Sequence, residues 1–168
     1  CYGTLIDWET GIRQFFGTLP VGSGFSRALA RWEEVQFRMI QGPYRPYAEI
    51  LADSLRETVE AQGGRYRPEM GEAFVRALPT WKPFPDAHRA LERLRAGGFK
   101  LGIISNIDDG LLAETVKHFT VLFDLLVTAE QVRAYKPSET GFRLALERIA
   151  LPARHVTHVA FGDRYDLA

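Results

Sequence analysis

The chain has 168 residues, 46% hydrophobic and 25% charged, a globular composition that excludes a disordered or collagen-like polymer. Its 21 Lys and Arg balance its 21 Asp and Glu, so the overall charge offers nothing to a polyanion and nucleic acid is not expected as a partner. The single cysteine, Cys1, excludes an internal disulfide framework and a thiolate metal cage. No apolar run reaches membrane-spanning length, so no membrane partner is expected.

The chain opens on Cys1-Tyr2-Gly3-Thr4 without an initiator Met and stops soon after an apolar run, so it reads as a fragment truncated at both ends. Tyr2-Gly3-Thr4 reads as the tail of a strand. Residues 26–79 are rich in helix formers. Ala28, Trp32, Val35 and Met39 recur at helical spacing, and Tyr47, Leu51, Leu55 and Thr58 do so again. Gly42-Pro43 separates these two helices and Gly63-Gly64 ends the second. Pro68 suits the first position of a third helix carrying Phe74, Val75 and Leu78.

After the stiff Pro79, Pro83 and Pro85 stretch the pattern changes. Asp86 is placed to cap a helix with Ala87, Ala90, Leu91 and Leu94 on one face, ended by Gly97-Gly98. Residues 99–105 predict a strand, residues 110–118 a helix and residues 123–128 a second strand. Residues 138–149 predict a helix with Phe142, Ala145, Leu146 and Ile149 inward, and residues 156–161 a last strand. Such alternation predicts βαβ units and a parallel sheet whose strand ends share one rim. On that rim would lie Ser105-Asn106, Lys136 and the carboxylates Asp163 and Asp166. Hydroxyl and amide donors with a compact cation suit a small anionic molecule.

These segments, in this order around a helical insert, resemble the haloacid dehalogenase (HAD) superfamily, and most closely its type II 2-haloacid dehalogenase branch. Tyr2-Gly3-Thr4-Leu5 with Asp7-Trp8 matches the first motif and Ile103-Ile104-Ser105-Asn106 the second. Ala134-Tyr135-Lys136-Pro137-Ser138 matches the third, and residues 158–166, ending Gly162-Asp163-Arg164-Tyr165-Asp166, the fourth. The resemblance implies an α/β fold: a Rossmann-like parallel-sheet core from residues 1–11 and 80–168, with an all-helical cap from residues 12–79. It implies a hydrolase whose attacking aspartate opens the first motif, immediately before Cys1, and forms an ester that water then opens. Carried over, Thr4 and Ser105 hydrogen-bond the substrate's anionic end or the nucleophile, and Asn106 lines the leaving-group site. Lys136 keeps the nucleophile ionised. Asp166 orients water and holds Lys136, while Tyr2 and Trp32 join Ser105 and Asn106 around the substrate.

Three reaction classes stay open at this point. Tyr2 stands where family phosphatases carry their general-acid Asp; halide leaves without a proton, so Tyr2 favours carbon–halogen cleavage without a cofactor. Against that, Glu33 follows Trp32 where the dehalogenase branch places an Arg, reversing the charge there; Arg27, Arg31, Arg38 or Arg45 could substitute. Phe142 and Phe161 also replace expected polar residues. Gly162-Asp163 has a phosphatase-like form, and in that case Asp163 and Asp166 would hold Mg2+. A catalytically inactive binding member is the third reading.

Of the remaining features, Asp108-Asp109 reads as N-terminal helix charge and Ser105-Asn106 also as a helix cap. His155 and His158 read as structural, and Gly22-Ser23-Gly24 as a loop without the Lys of a phosphate loop. Cytoplasmic residence follows from the cysteine count and the lack of a leader at the start of the sequence, and a homodimer is left open.

Overall fold

A computed structural model describes residues 1–19, 25–160 and 166. Four helices come first: α1 (Trp8–Phe16), α2 (Phe25–Ile40), α3 (Tyr47–Ala61) and α4 (Pro68–Ala77). They pack through α2 on α3 and α3 on α4. The expected spacing is realised on α3, where Tyr47, Ile50, Leu51, Leu55, Thr58 and Val59 are all buried. The hydroxyls of Ser54 and Thr58 are buried with them. Each donates back to a carbonyl one turn earlier, Ser54 to Leu51 at 3.1 Å and Thr58 to Ser54 at 2.7 Å, so neither is left unsatisfied. On α2, Ala28, Trp32, Val35 and Ile40 face inward. Pro68 starts α4, and the chain turns between α3 and α4 through Gly63 at φ 74°.

Aromatic rings fill the centre of this helical layer. Phe74 meets Phe15 at 4.7 Å, Trp32 at 5.8 Å and Trp81 at 6.2 Å between ring centroids. Gly11 on α1 lets the Trp81 ring approach; a Cβ there would lie 2.3 Å from it.

The remainder alternates helix and strand: α5 (Ala87–Ala96), β1 (Gly102–Ser105), α6 (Asp109–Thr115), β2 (Leu125–Thr128), α7 (Ala129–Val132) and α8 (Thr140–Ile149). β1 and β2 pair in parallel, Gly102 opposite Leu125 through Ser105 opposite Thr128. Both strands end at one rim, as the alternation predicts. α8 packs beneath them, with Gly141 and Ala145 buried while Phe142, Leu146 and Ile149 are half-buried.

Several local expectations are corrected. Residues 3–5 form a turn directly after Tyr2, which makes an isolated bridge to Ile6. The Cys1 carbonyl accepts from the Thr4, Leu5 and Ile6 amides, Gly3 takes φ 84°, and Ile6 bridges to Pro83. Residues 156–160 have no ladder partner among the described residues and lie exposed, because a strand needs a neighbour to take its backbone groups. Asp86 makes no capping hydrogen bond to α5, and Leu94 is 42% exposed, so α5 buries a narrower face than its pattern suggests. Ser105 and Asn106 do not cap α6, which begins only at Asp109. Residues 20–24 and 161–165, which carry the Gly22-Ser23-Gly24 loop, Phe161, Gly162 and Asp163, lie outside the described residues.

Candidate active site

At the strand rim Ser105, Asn106, Thr128, Ala134, Lys136 and Ser138 line a small cleft. Ser105 reaches it because it ends β1 with its side chain on the inner face, 5% exposed. Its hydroxyl has no hydrogen-bond partner among the described residues and is available to a ligand. Lys136 follows the short α7, which Arg133 closes in the left-handed conformation at φ 53°. The Lys136 ammonium is paired with Asp166, and the two side chains are only 11% and 9% exposed. Burial alone would push Asp166 up; the hydrogen bond and charge of Lys136, followed by those of His158, outweigh it and hold the carboxyl below its ordinary value near 3.8. His158 Nε2 lies 3.3 Å from Asp166 Oδ1, and its ring stands edge-on to Phe142 at 5.1 Å.

The first residue joins the same group. The backbone nitrogen of Cys1 is buried within electrostatic reach of Lys136 and Asp166. The turn that carries Thr4 therefore starts against the Lys136–Asp166 pair. The Thr4 hydroxyl makes no hydrogen bond among the described residues.

Other expected site residues fall elsewhere. The Tyr2 phenol bonds Thr115 Oγ1 of α6 at 2.6 Å, and its ring stands edge-on to Trp81 at 6.2 Å. Burial pushes that phenol up, with the Thr115 bond pulling the other way. Trp32 lies inside the helical layer against Trp8 and Phe74, not in the cleft. Three of the four arginines that could replace the missing cation are ion-paired to acids of α3: Arg31 and Arg38 to Glu57, and Arg45 to Glu49 and Asp53. Arg27 is exposed.

A second set of contacts joins the cleft loops to the helical layer. Asp108 lies just beyond Ser105-Asn106. Its carboxylate accepts from the Tyr47 amide at 2.7 Å and the Ala48 amide at 2.8 Å, capping α3, whose own preceding residue, Pro46, has no side-chain acceptor. Tyr135, beside Lys136, donates to the Arg45 carbonyl at 2.7 Å and stacks on Tyr44 at 5.4 Å. The Arg133 guanidinium covers the Tyr44 ring at 4.2 Å. Asp108 therefore complements a helix dipole, but that of α3 and not of the helix it precedes. Asp109 instead accepts from the Thr128 hydroxyl and from Gln131 Nε2, both at 2.7 Å.

Sequence reading missed His158, Asp108 and Tyr135 as parts of the site. Tyr135 stood inside a motif and could have been singled out. Asp108 and His158 depend on partners 60 and 8 residues away, with no local signal.

The metal reading needs Asp163, which lies outside the described residues, together with Asp166, which carries Lys136 and His158. Among the described residues no three His, Cys, Asp or Glu gather as a metal site, and no helix is long and apolar enough to cross a membrane.

Known proteins resemble this chain in sequence and in fold. The family model for haloacid dehalogenase-like hydrolases matches residues 1–166. An (S)-2-haloacid dehalogenase of Pseudomonas putida is 28% identical over 165 residues, covering 95% of this chain and 72% of that protein. The L-2-haloacid dehalogenase of Xanthobacter autotrophicus, solved with chloropropionic acid covalently bound, superposes with a TM-score of 0.78 at 21% identity, covering 90% of this chain and 63% of that one. The L-2-haloacid dehalogenase RSc1362 gives 0.79 at 24% identity, covering 91% and 71%. The chain belongs to the haloacid dehalogenase-like hydrolase family.

Proposed function

We propose that the protein hydrolyses the carbon–halogen bond of a small 2-haloacid through an aspartyl ester. The observation that carries this reading is the buried Lys136–Asp166 pair beside Ser105. The nucleophile is the carboxylate of an aspartate immediately before Cys1. One of its oxygens attacks C2 of the substrate, and the carbon–halogen bond breaks with its electron pair leaving on halide. Water then adds at the acyl carbon of the ester. The carboxylate returns, and a 2-hydroxy acid, halide and a proton are released. Attack inverts C2 and ester hydrolysis leaves it untouched, so the product has the opposite configuration.

Ser105 and Thr4 hold the substrate's carboxylate by hydroxyl hydrogen bonds. Lys136 sets the field that keeps the nucleophile ionised, and Asp166 holds Lys136 and orients the water. Tyr2 acts as a support on Thr115 and Trp32 as packing of the cap, residues 12–79, over the core. A bound metal has no part in this scheme, since Lys136 supplies the positive charge at Asp166. Cytoplasmic residence and a homodimer belong to the same proposal; light scattering on the purified protein tests the latter.

Halide release from 2-chloropropionate and 2-bromopropionate by the full-length protein, unaffected by chelator, is the expected result. Chelator-sensitive phosphate release from phosphate monoesters without halide release would replace this reading with a phosphatase. Activity on neither, with a residue other than Asp before Cys1, would make the protein a binding member of the family.

A further inference from the structure

The two-point contact between Asn106 and Lys136 gives Asn106 a task beyond lining the leaving-group site. Asn106 Oδ1 accepts from the Lys136 amide at 2.7 Å, and Asn106 Nδ2 donates to the Lys136 carbonyl at 3.1 Å. One carboxamide thus holds both backbone polar groups of a single residue 30 positions away. We propose that Asn106 is the positioning residue for Lys136, a clamp that fixes the root of that side chain so that its ammonium stays on the reacting carboxylates.

The chemistry of the side chain fits this task. A carboxamide carries one acceptor and one donor at the spacing of a peptide unit, so it pairs with a backbone N–H and C=O together. Aspartate could accept from the Lys136 amide, but would set a second acceptor against the carbonyl. Serine could not make both bonds at once. A lysine side chain has four flexible carbons and many rotamers, so its reach is set by where the backbone anchors it. Lys136 is anchored from three sides: Asn106 on its backbone, Asp166 on its ammonium, and Tyr135, its neighbour, on the Arg45 carbonyl. The functional half of this inference rests on the dehalogenase reading; the structural half does not.

A leaving-group ligand and a clamp respond differently to substitution. The full-length protein and its Asn106→Ala and Asn106→Asp variants are compared by amide hydrogen exchange at Lys136 and by turnover of 2-chloropropionate and 2-bromopropionate. The clamp predicts Lys136 exchange at least ten-fold faster in Asn106→Ala, and protection largely kept in Asn106→Asp, whose carboxylate still accepts from that amide. It also predicts that kcat falls by the same factor for both halides in each variant, with KM little changed. A loss clearly larger for chloride than for bromide, with Lys136 exchange unchanged, would overturn the clamp and return Asn106 to the leaving group. If the unsubstituted protein releases no halide, the proposed reaction fails, and the exchange rates alone decide whether the clamp exists. Asn106→Asp keeps the acceptor half and decides the matter if Asn106→Ala does not fold.

Discussion

The helical layer and the strand layer hold together by different means. Of the large side chains shut off completely from solvent, most lie between Ile6 and Leu78, among them Phe16, Ile50, Leu55 and Phe74, with Ile107, Leu112 and Val127 on the strand side. On the strand side, by contrast, Phe99 is 61%, Leu122 82% and Val159 72% exposed. Helices satisfy their backbones internally, so a few amphipathic segments close a core with their neighbours in sequence. A sheet closes only through ladders between distant segments, and two short strands are marginal by themselves. The catalytic candidates sit at the strand rim. Their loops are steadied by the helical layer through Asp108 on the α3 terminus and Tyr135 on the Arg45 carbonyl.

The contrast yields graded expectations. Phe74→Ala removes the ring that Phe15, Trp32 and Trp81 share, and should cost about 3–5 kcal/mol in denaturant unfolding. A loss under about 1 kcal/mol would mean that the helical core is looser than its burial indicates. Gly11→Ala drives a methyl into the Trp81 ring and should cost about 1–3 kcal/mol, read as a lowered Tm.

Asp108→Ala leaves the first amides of α3 without their acceptor and should cost about 1 kcal/mol. It should also lower turnover, because the loop that carries it begins at Ser105 and Asn106. Unchanged turnover with lowered stability would separate the two layers functionally.

The pH dependence is smaller and has a definite sign. The Asp166 carboxyl lies below its unfolded value near 3.8, so its contribution to stability is complete above that value and disappears as the pH falls through the depressed folded value. Neutralising Asp166 as Asp166→Asn should therefore flatten the acid limb of the stability profile, while leaving the dependence above about pH 5 as it was. A change confined to neutral pH would contradict the pairing with Lys136. Smallest of all, Phe99→Ala on the exposed rim of the strand layer should change stability by less than about 0.5 kcal/mol.

The same division explains what could be read from the sequence. The apolar spacing of Tyr47, Leu51, Leu55 and Thr58 and the start of α4 at Pro68 are local, and the structure has them where the pattern put them. The parallel order of β1 and β2 and the meeting of Ser105, Asn106 and Lys136 at one rim followed from alternation and motif order. What failed was non-local. Residues 156–160 have an apolar strand pattern, but pattern alone supplies no partner ladder. Asp108 and Asp109 look alike in sequence, yet one caps a helix about 60 residues away and the other holds the start of α7. The bonds of the Asn106 carboxamide to the backbone of Lys136, 30 residues on, likewise had no local signal.

The covalent intermediate is the most direct point of attack on the account. Full-length protein mixed with excess 2-chloropropionate, quenched in acid during turnover and digested, should yield one modified peptide, heavier by a propionate unit on the aspartate before Cys1. The adduct should build up to the level of enzyme sites and disappear when substrate is exhausted. Halide release with no modified peptide at any quench time, and with solvent oxygen entering the product in a single turnover, would contradict it.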